Sequence, residues 1–229
     1  VPFVSVTEDD LAFSIAPKIN AASRMASPRL AFELLTTESR ERAEELAYEL
    51  TKLNKDRKLE GMRVAKDVKK RLETMPILEN VIVMGHSSWR PSLLGIAATS
   101  VVETYQKPVG LWGMAGGLIK GSCRATGPVN VVTLLSGARE AFLDFGGHEF
   151  SGGFSVSPDA IHQLSDFLGK SYDALGIFRE PRTENQEPET ILTLSEVNDS
   201  AFNALRSLAP FGQENPKPIF RFVNVKTEK

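Results

Sequence analysis

The stretch NVIVMGHSSWRPSLLGIAATSVVETYQKPVGLWG (residues 80–113) decides the fold class. Its first part, NVIVMG (80–85), is apolar, rich in β-branched residues and closed by a glycine, which is typical of a buried strand. Pro91 then opens a helical stretch (91–106), because proline suits the first position of a helix. PVGLWG (108–113) is a second apolar strand. A strand, a helix and a strand in succession indicate an α/β domain.

The same alternation continues downstream of this stretch. We predict a strand over LIKGSCRAT (118–126), a helix over VNVVTLLSGAREAFLDF (129–145), a strand over EFSGGFSVS (149–157) and a helix over PDAIHQLSDFLGKSYDAL (158–175). Two glycines, Gly146 and Gly147, follow the first of these helices, as a helix C-terminus predicts. Residues 77–178 are therefore predicted to form one α/β domain with a central mixed sheet flanked by helices.

A long helix is predicted upstream, over residues 36–76. From Glu38 to Met75 the sequence has no proline and a single glycine, and apolar or small residues recur at alternating threes and fours. The helix would be about 57 Å long at about 1.5 Å per residue. Its apolar stripe thins at Arg57, which favours a connector between two bodies over a buried core helix.

Charge is sorted along this helix, with acids dominating residues 38–50 and bases dominating 51–73. Macrodipole compensation and i,i+4 pairs explain this pattern. A basic face along a nucleic-acid path explains it as well.

The two ends of the chain have the composition of pieces of other domains. Residues 1–35 are predicted to be the end of a preceding domain and its linker, and the opening VPFVSVTEDDLAF reads like the middle of a longer protein. Residues 179–229 begin with a polar, proline-bearing linker and continue into short strands around a helix. About 40 residues cannot bury a core alone, so we expect the truncated start of a further β domain.

Composition restricts the function classes. The chain of 229 residues is 41% hydrophobic, carries a net charge of −2 and has a pI of about 6.0, which argues against a fully basic surface but allows a local basic groove. No apolar run approaches the roughly 20 residues that span a bilayer. The single cysteine, Cys123, excludes an internal disulfide and fits a reducing compartment, so we expect a cytoplasmic protein without a membrane partner.

Ser122 and Arg124 are candidate phosphate ligands. They lie two residues apart on a predicted strand, so their side chains share a face. A guanidinium can bind two phosphate oxygens and a hydroxyl a third. A surface arginine paired with a helix carboxylate is the alternative interpretation.

His148 is a second candidate, since it lies in the glycine-rich stretch FGGHEFSGGF (145–154). Glycines allow positive φ or the close approach of a ligand to the backbone. The negative end of the predicted helix 129–145 would favour a protonated imidazole able to bind phosphate. The alternative is that His148 only caps that helix.

The loop HSSWR (86–90) follows the first strand of the domain, where α/β proteins place ligands. Ser87 and Ser88 could donate to an anion at the helix N-terminus, and Trp89 could stack on a base. An N-cap serine followed by an apolar staple is the alternative.

Metal-ligand spacings are absent from the sequence. None of the histidines, His86, His148 and His162, has a suitable partner nearby, and there is no paired cysteine or Asp-x-Asp element. Asp9 and Asp10 are typical of a helix start. The sequence thus predicts neither a self-sufficient metal site nor a nucleophile–base pair.

Five elements together resemble, in the same order, the RecJ family of bacterial single-strand-specific 5′→3′ DNA exonucleases, within the DHH phosphoesterase superfamily. They are APKINAASRM (16–25), LLGIAATSVVETYQKPVGL (93–111), IKGSCRATG (119–127), FGGHEFSGGF (145–154) and LAPFGQENPKPIF (208–220). The first and last are the most specific, whereas Gly-Gly-His is common to the DHH-associated domain of the superfamily. The sequence departs in two places: Ser151-Gly152-Gly153 stands where Ala-Ala-Gly is usual, and Ser23 where glycine is frequent.

The resemblance implies a fold and a set of functional residues. Residues 77–178 would be the DHH-associated domain, and residues 179–229 would open an OB fold that holds single-stranded DNA. Gly146, Gly147 and His148 would line a cleft near the scissile phosphate, with His148 stabilising the transition state. Ser122 and Arg124 would hold the 5′ phosphate, and Asn20 and Arg24 would also contact the substrate. Mn²⁺ or Mg²⁺ would be bound by an N-terminal DHH domain, the partner of this region and absent from this sequence, so the chain alone would hold no metal and be inactive.

Two other interpretations remain open. One is another superfamily phosphoesterase, such as an oligoribonuclease or a nucleotide phosphatase, although the long helix and the tail beyond Glu189 are not expected there. The other is a non-catalytic scaffold derived from RecJ. Such scaffolds tend to lose the phosphate-binding residues, which this chain retains at Ser122, Arg124 and His148.

Overall fold

A computed structural model describes residues 6–176, 190–212, 214–223 and 225–226. The helices of seven residues or more, in chain order, are α1 (Ala16–Met25), α2 (Pro28–Thr36), α3 (Arg40–Glu73), α4 (Leu94–Tyr105), α5 (Val131–Gly137), α6 (Leu164–Ala174) and α7 (Asp199–Arg206). The strands are β1 (Ile82–Gly85), β2 (Val109–Ala115), β3 (Leu118–Arg124), β4 (Phe142–His148), β5 (Ser151–Val156), β6 (Thr190–Leu192) and β7 (Phe220–Phe222). The chain divides into two compact units, Lys18–Phe178 and a smaller one made of Val1–Pro17 with Arg179–Lys229.

Helix α3 is the single long helix that the sequence predicts. The side chain of Ser39 caps its first turn by accepting a hydrogen bond from the backbone N–H of Arg42. One stripe of the helix is buried over most of its length. Leu50 packs in a small cluster with Ala22 and Ala31 of α1 and α2, and Val68 packs with α4 and the sheet.

The main unit is built on a five-stranded sheet of order β1-β2-β3-β5-β4. The β1–β2 pair is parallel and the other three pairs are antiparallel, so the predicted mixed sheet is confirmed. Helices α5 and α6 cover one face, where Cys123, Phe154 and Leu168 belong to a common core. Helices α3 and α4 cover β1 and β2 on the other face, around Leu111.

The predicted helix over 129–145 is wrong in its second half. Helix α5 ends at Gly137, a 3-10 turn follows, and strand β4 begins at Phe142. A Cβ on Gly137 would lie 2.2 Å from the Oγ of Ser171, so the chain turns where α5 crosses α6 closely. The apolar spacing around Phe142 and Phe145 belongs instead to an edge strand that pairs with β5, and a long-range pairing of this kind is invisible to local periodicity.

The smaller unit contains β6, α7 and β7, and β6 pairs with β7 in parallel. Asn198 caps α7 through its side chain. The amide of Asn215 donates to the carbonyls of Leu208 and Pro210, at 2.9 and 3.0 Å, which closes the turn of the LAPFGQENPKP segment. The predicted linker 179–190 lies outside the described residues except for Thr190.

Candidate phosphate-binding face

The strand register aligns three rows of residues on one face of β3, β5 and β4. Each row holds one residue from each strand, in that order: Arg124–Ser151–His148, Ser122–Gly153–Gly146 and Lys120–Ser155–Asp144. Side chains two residues apart share a face, so all nine positions point to the side that carries α4. Polar residues and glycines fill this part of the face, whereas Val109 and Leu111 make it apolar at β2, beneath α4.

The central row has no side chains at its β5 and β4 positions, Gly153 and Gly146, which form a trough of bare backbone. A Cβ on Gly146 would have no atom within 4 Å, and one on Gly153 would meet only the carbonyl oxygen of Gly121, at 3.8 Å. Packing within the domain therefore does not require glycine at either position. The bare backbone leaves room for a ligand to lie against the sheet between the two outer rows.

Glycine is required at position 147 by packing within the domain, unlike at the two trough positions. It faces the opposite side of the strand, and a Cβ there would lie 2.2 Å from the carbonyl oxygen of Ser151 and 2.5 Å from the Cα of Gly152. The close pairing of β4 with β5 accounts for this glycine. Contact between Gly147 and a substrate stays a prediction.

Arg124 is held in place by backbone carbonyls. Its Nη1 donates to the carbonyl oxygen of Cys123 at 2.8 Å and to that of Gly152 at 3.4 Å. Its Nη2 lies beside Gly95 at the start of α4, where an added Cβ would be only 2.5 Å away, and the Oγ of Ser122 is close to the same point. The structure thus brings Ser122 and Arg124 together at a helix N-terminus, an arrangement that suits a phosphate.

Burial lowers the pKa of Arg124, and the positive charge of Arg24 lowers it further. Among the residues that the structure describes, no carboxylate lies within ion-pair distance of Arg124. The alternative interpretation required Arg124 to pair with a helix carboxylate, and the described part of the chain offers none at that distance.

Arg24 reaches this site from α1. Its Nη1 donates to the carbonyl oxygen of Ser92 at 3.0 Å, and the Oγ of Ser92 donates back to the carbonyl oxygen of Arg24 at 3.0 Å. This reciprocal pair ties the end of α1 to the turn that precedes α4. Asn20 lies one helical turn before Arg24 and is exposed, so the two residues share a face of α1.

His148 is the last residue of β4, not a residue that follows a helix, so the predicted role of the helix dipole is wrong. Its side chain is exposed, and no hydrogen bond or ion pair joins it to any other residue in the described ranges. It shares a row with Arg124, two strand spacings away, which is roughly 9–10 Å. The pairing of β4 with β5 places His148 beside the trough.

Trp89 is not available to stack on a base. It is 7% exposed and belongs to the core beneath α4, and the guanidinium of Arg71 lies 5.2 Å from its ring centre. Ser88 is engaged with His86, whose Nδ1 lies 2.7 Å from the Ser88 Oγ. The structure supports the apolar staple for Trp89, whereas the predicted N-cap serine is wrong, because Arg90 precedes the 3-10 turn, Leu93 precedes α4, and neither provides a side-chain cap.

A cavity of about 290 Å³ opens on the same face, lined by residues that include Ser92, Lys120, Asp144, Gly153 and Ser155. Its lining combines Gly153 of the trough, all three residues of the third row, and the turn before α4. The sequence interpretation missed Lys120. Its spacing of two residues from Ser122 and four from Arg124 on β3 would have placed it on the same face. Ser155 and Asp144 join the face only through the register of β4 and β5.

No group of three or more His, Cys, Asp or Glu side chains able to hold a metal ion occurs within the described ranges. No helix in the described part of the chain is both long and apolar enough to cross a bilayer.

Two domain families account for most of the chain downstream of α3. Residues 78–172, which include the sheet and the three rows, match the DHHA1 domain, and residues 189–229 match the RecJ OB domain. The main unit therefore resembles a DHHA1 domain, and the residues from 189 onward resemble the RecJ OB domain.

The individual relatives that the chain resembles are RecJ exonucleases. The chain is 32% identical over 213 residues to the single-stranded-DNA-specific exonuclease RecJ of Thermus thermophilus, and 28% identical over 213 residues to that of Bacillus subtilis. Each alignment covers 92% of this chain but only 30% and 27% of the respective relative. The chain therefore spans less than a third of the length of these curated relatives.

Crystal structures give the same result. RecJ of Thermus thermophilus in complex with Mn²⁺ matches with a TM-score of 0.77 and 28% identity, over 94% of this chain and 32% of that one. Its complex with Mg²⁺ matches with a TM-score of 0.73 and 28% identity, over 93% and 33%. The resemblance drawn from the five sequence elements is confirmed.

Proposed function

We propose that this chain is the substrate-binding part of a RecJ-type exonuclease that hydrolyses single-stranded DNA from the 5′ end. The matched relatives are single-stranded-DNA-specific exonucleases, and two matched structures hold Mg²⁺ or Mn²⁺. In this proposal a DHH domain elsewhere in the intact protein binds the divalent metal. This chain positions the strand and is inactive alone.

The observation that carries the proposal is the row Arg124–Ser151–His148 beside a trough of bare backbone. Arg124 and Ser122 meet at the N-terminus of α4, a site suited to a terminal phosphate. The trough then leads along the sheet between the two outer rows. A strand whose 5′ phosphate is bound by Arg124 and Ser122 would place a following phosphate near His148.

The proposed biological role is DNA repair and recombination in the cytoplasm, where single strands with a free 5′ end are the substrate. A non-catalytic scaffold would retain the fold but would not need a charged row beside an empty trough. Another superfamily phosphoesterase would act on short oligonucleotides or mononucleotides.

One experiment tests the function directly. The 229-residue chain and the intact protein are incubated with 5′-labelled and 3′-labelled single strands and Mn²⁺, with a matched duplex as control. We expect the intact protein to release nucleotides from the 5′ end of the single strand only, and the chain alone to release none. An intact protein that cleaves only dinucleotides, or nothing, would favour one of the two alternatives.

A further inference from the structure

The buried stripe of α3 is interrupted by two polar residues. Asn54 occupies a buried position with 8% of its surface exposed, and Arg57 is partly buried three residues later. Leu50 precedes them and Val64 follows them on the stripe. A buried asparagine and a half-buried arginine are costly in a core helix unless they have partners, so this break in the stripe calls for a cause.

Arg57 lies on the side of α3 that packs against α1 one turn earlier and against α4 one turn later. Leu53, Arg57 and Gly61 are four residues apart in succession and share one side of α3. Leu53 packs in the cluster that holds Ala22 of α1, and a Cβ on Gly61 would lie 2.9 Å from the Cγ2 of Ile96 in α4. Arg57 is therefore about 6 Å along the helix axis from both contacts.

That junction already contains two other guanidinium groups. Arg24 is tied to Ser92 immediately before α4, and Arg124 lies beside Gly95 in the first turn of α4. Burial lowers the pKa of Arg57, and the charge of Arg24 lowers it further, so Arg24 acts on Arg57 as it does on Arg124. Arg24 is thus the common neighbour of Arg57 and Arg124 in the main unit.

No carboxylate neutralises this group within the described part of the chain. The ion pairs there involve Arg40, Arg42, Arg71 and Lys217 instead. Arg57 has only the neutral Asn54, whose Oδ1 accepts from Nε at 3.2 Å and from Nη2 at 2.9 Å. Asn54 thereby fixes the guanidinium in place without removing its charge.

We infer that Arg57, oriented by Asn54, is the third guanidinium of a site that binds the terminal 5′ phosphate together with Arg24 and Arg124. The inference rests on the proposed function. A terminal phosphate carries close to two negative charges at pH 7.5, because its second pKa is about 6, whereas an interior phosphodiester carries one. A third cation on the far side of Arg24 therefore favours a strand end over the interior of a strand, and Arg57 is a specificity residue.

The test uses the 229-residue chain and two probes, hexathymidylate with a 3′ fluorophore and either a 5′ phosphate or a 5′ hydroxyl. Fluorescence anisotropy at low salt gives the ratio of the two dissociation constants. We expect Arg57→Gln to reduce the preference for the 5′ phosphate about three- to tenfold and to leave the affinity for the 5′ hydroxyl probe nearly unchanged. Arg57→Lys, which keeps the charge, should restore part of the preference.

Arg63→Gln is the matched control, since it removes the same charge from an exposed position on the same helix. It should lower both affinities equally and slightly. Melting temperatures of all variants report folding. Equal losses on both probes with Arg57→Gln, or an unchanged preference, would overturn the inference.

The outcome for Arg124 separates the two proposals. If the preference exists and Arg124→Gln abolishes it while Arg57→Gln does not, the phosphate site stands and the role of Arg57 is wrong. A wild-type chain that does not distinguish the probes would overturn both the terminal-phosphate site and the role of Arg57.

Discussion

Arg124 and His148 lie on the same face of the sheet, at the two ends of a row whose middle residue is Ser151. They are 24 residues apart in sequence, and β5 separates the strands that carry them. The adjacent row holds Gly153 and Gly146 after Ser122, so bare backbone lies beside Ser151 and His148. This relationship underlies the predictions that follow.

Replacing Arg124 should reduce discrimination between strand ends. In the intact protein, Arg124→Gln should lower kcat/KM about ten- to a hundredfold on a 5′-phosphorylated strand, because a charged hydrogen-bonding partner of the phosphate is lost. The loss on a 5′-hydroxyl strand should be much smaller. Steady-state kinetics on both substrates check this, and equal losses would assign Arg124 to the fold or to an interior phosphate.

Replacing His148 should slow turnover without destabilising the domain. The side chain is exposed and has no partner within the described ranges, so His148→Ala should leave the melting temperature unchanged. If His148 stabilises the transition state, kcat in the intact protein should fall about 10²–10³-fold. A normal kcat would remove His148 from the site.

The neighbouring glycines should respond in opposite ways. Gly146→Val adds a side chain where no atom lies within 4 Å, so the domain should stay as stable while single-stranded DNA binding is lost. Gly147→Ala places a Cβ 2.2 Å from a backbone oxygen and should cost about 1–3 kcal/mol of stability. Thermal melts and anisotropy titrations of both variants check the contrast. A stable Gly146→Val chain with unchanged DNA affinity would mean that the trough is not used.

A methyl group on Gly95 should act through Arg124. The new Cβ would lie 2.5 Å from Nη2, the mobile end of a flexible side chain, so the guanidinium should shift while the fold remains intact. We expect Gly95→Ala to reduce the affinity for a 5′-phosphorylated strand several-fold.

Gly169→Ala in α6 is the control for Gly95→Ala, because a Cβ there has no atom within 4 Å. It should stabilise the helix slightly and leave binding unchanged. Unchanged 5′-phosphate affinity in Gly95→Ala would show that the position of Arg124 beside α4 does not matter for binding.

The sequence by itself determined the elements that local physics controls. The apolar strand at 80–85, the proline at the start of the next helix and the proline-free stretch before Met75 predicted an α/β domain preceded by a long helix, and the structure has both. The alternation along β3 placed Ser122 and Arg124 on one face for the same reason, since the period of a strand is a local property. The order of the five sequence elements also predicted the resemblance to RecJ, which the comparisons confirm.

Only the tertiary structure decided what these side chains face. The apolar spacing around Phe142 is typical of a helix, but this segment forms a strand because β4 pairs with β5. Local periodicity does not report such long-range hydrogen bonds. That pairing places His148 opposite Ser151 and leaves free space around the Cα of Gly146. It also brings the backbones of β4 and β5 so close at Gly147 that a side chain would not fit there. The packing of α1 and α4 on α3 likewise brings Arg57, an interruption in a helical stripe, close to Arg24. Contacts between elements set these positions, and a periodicity of two or 3.6 residues carries no information about them.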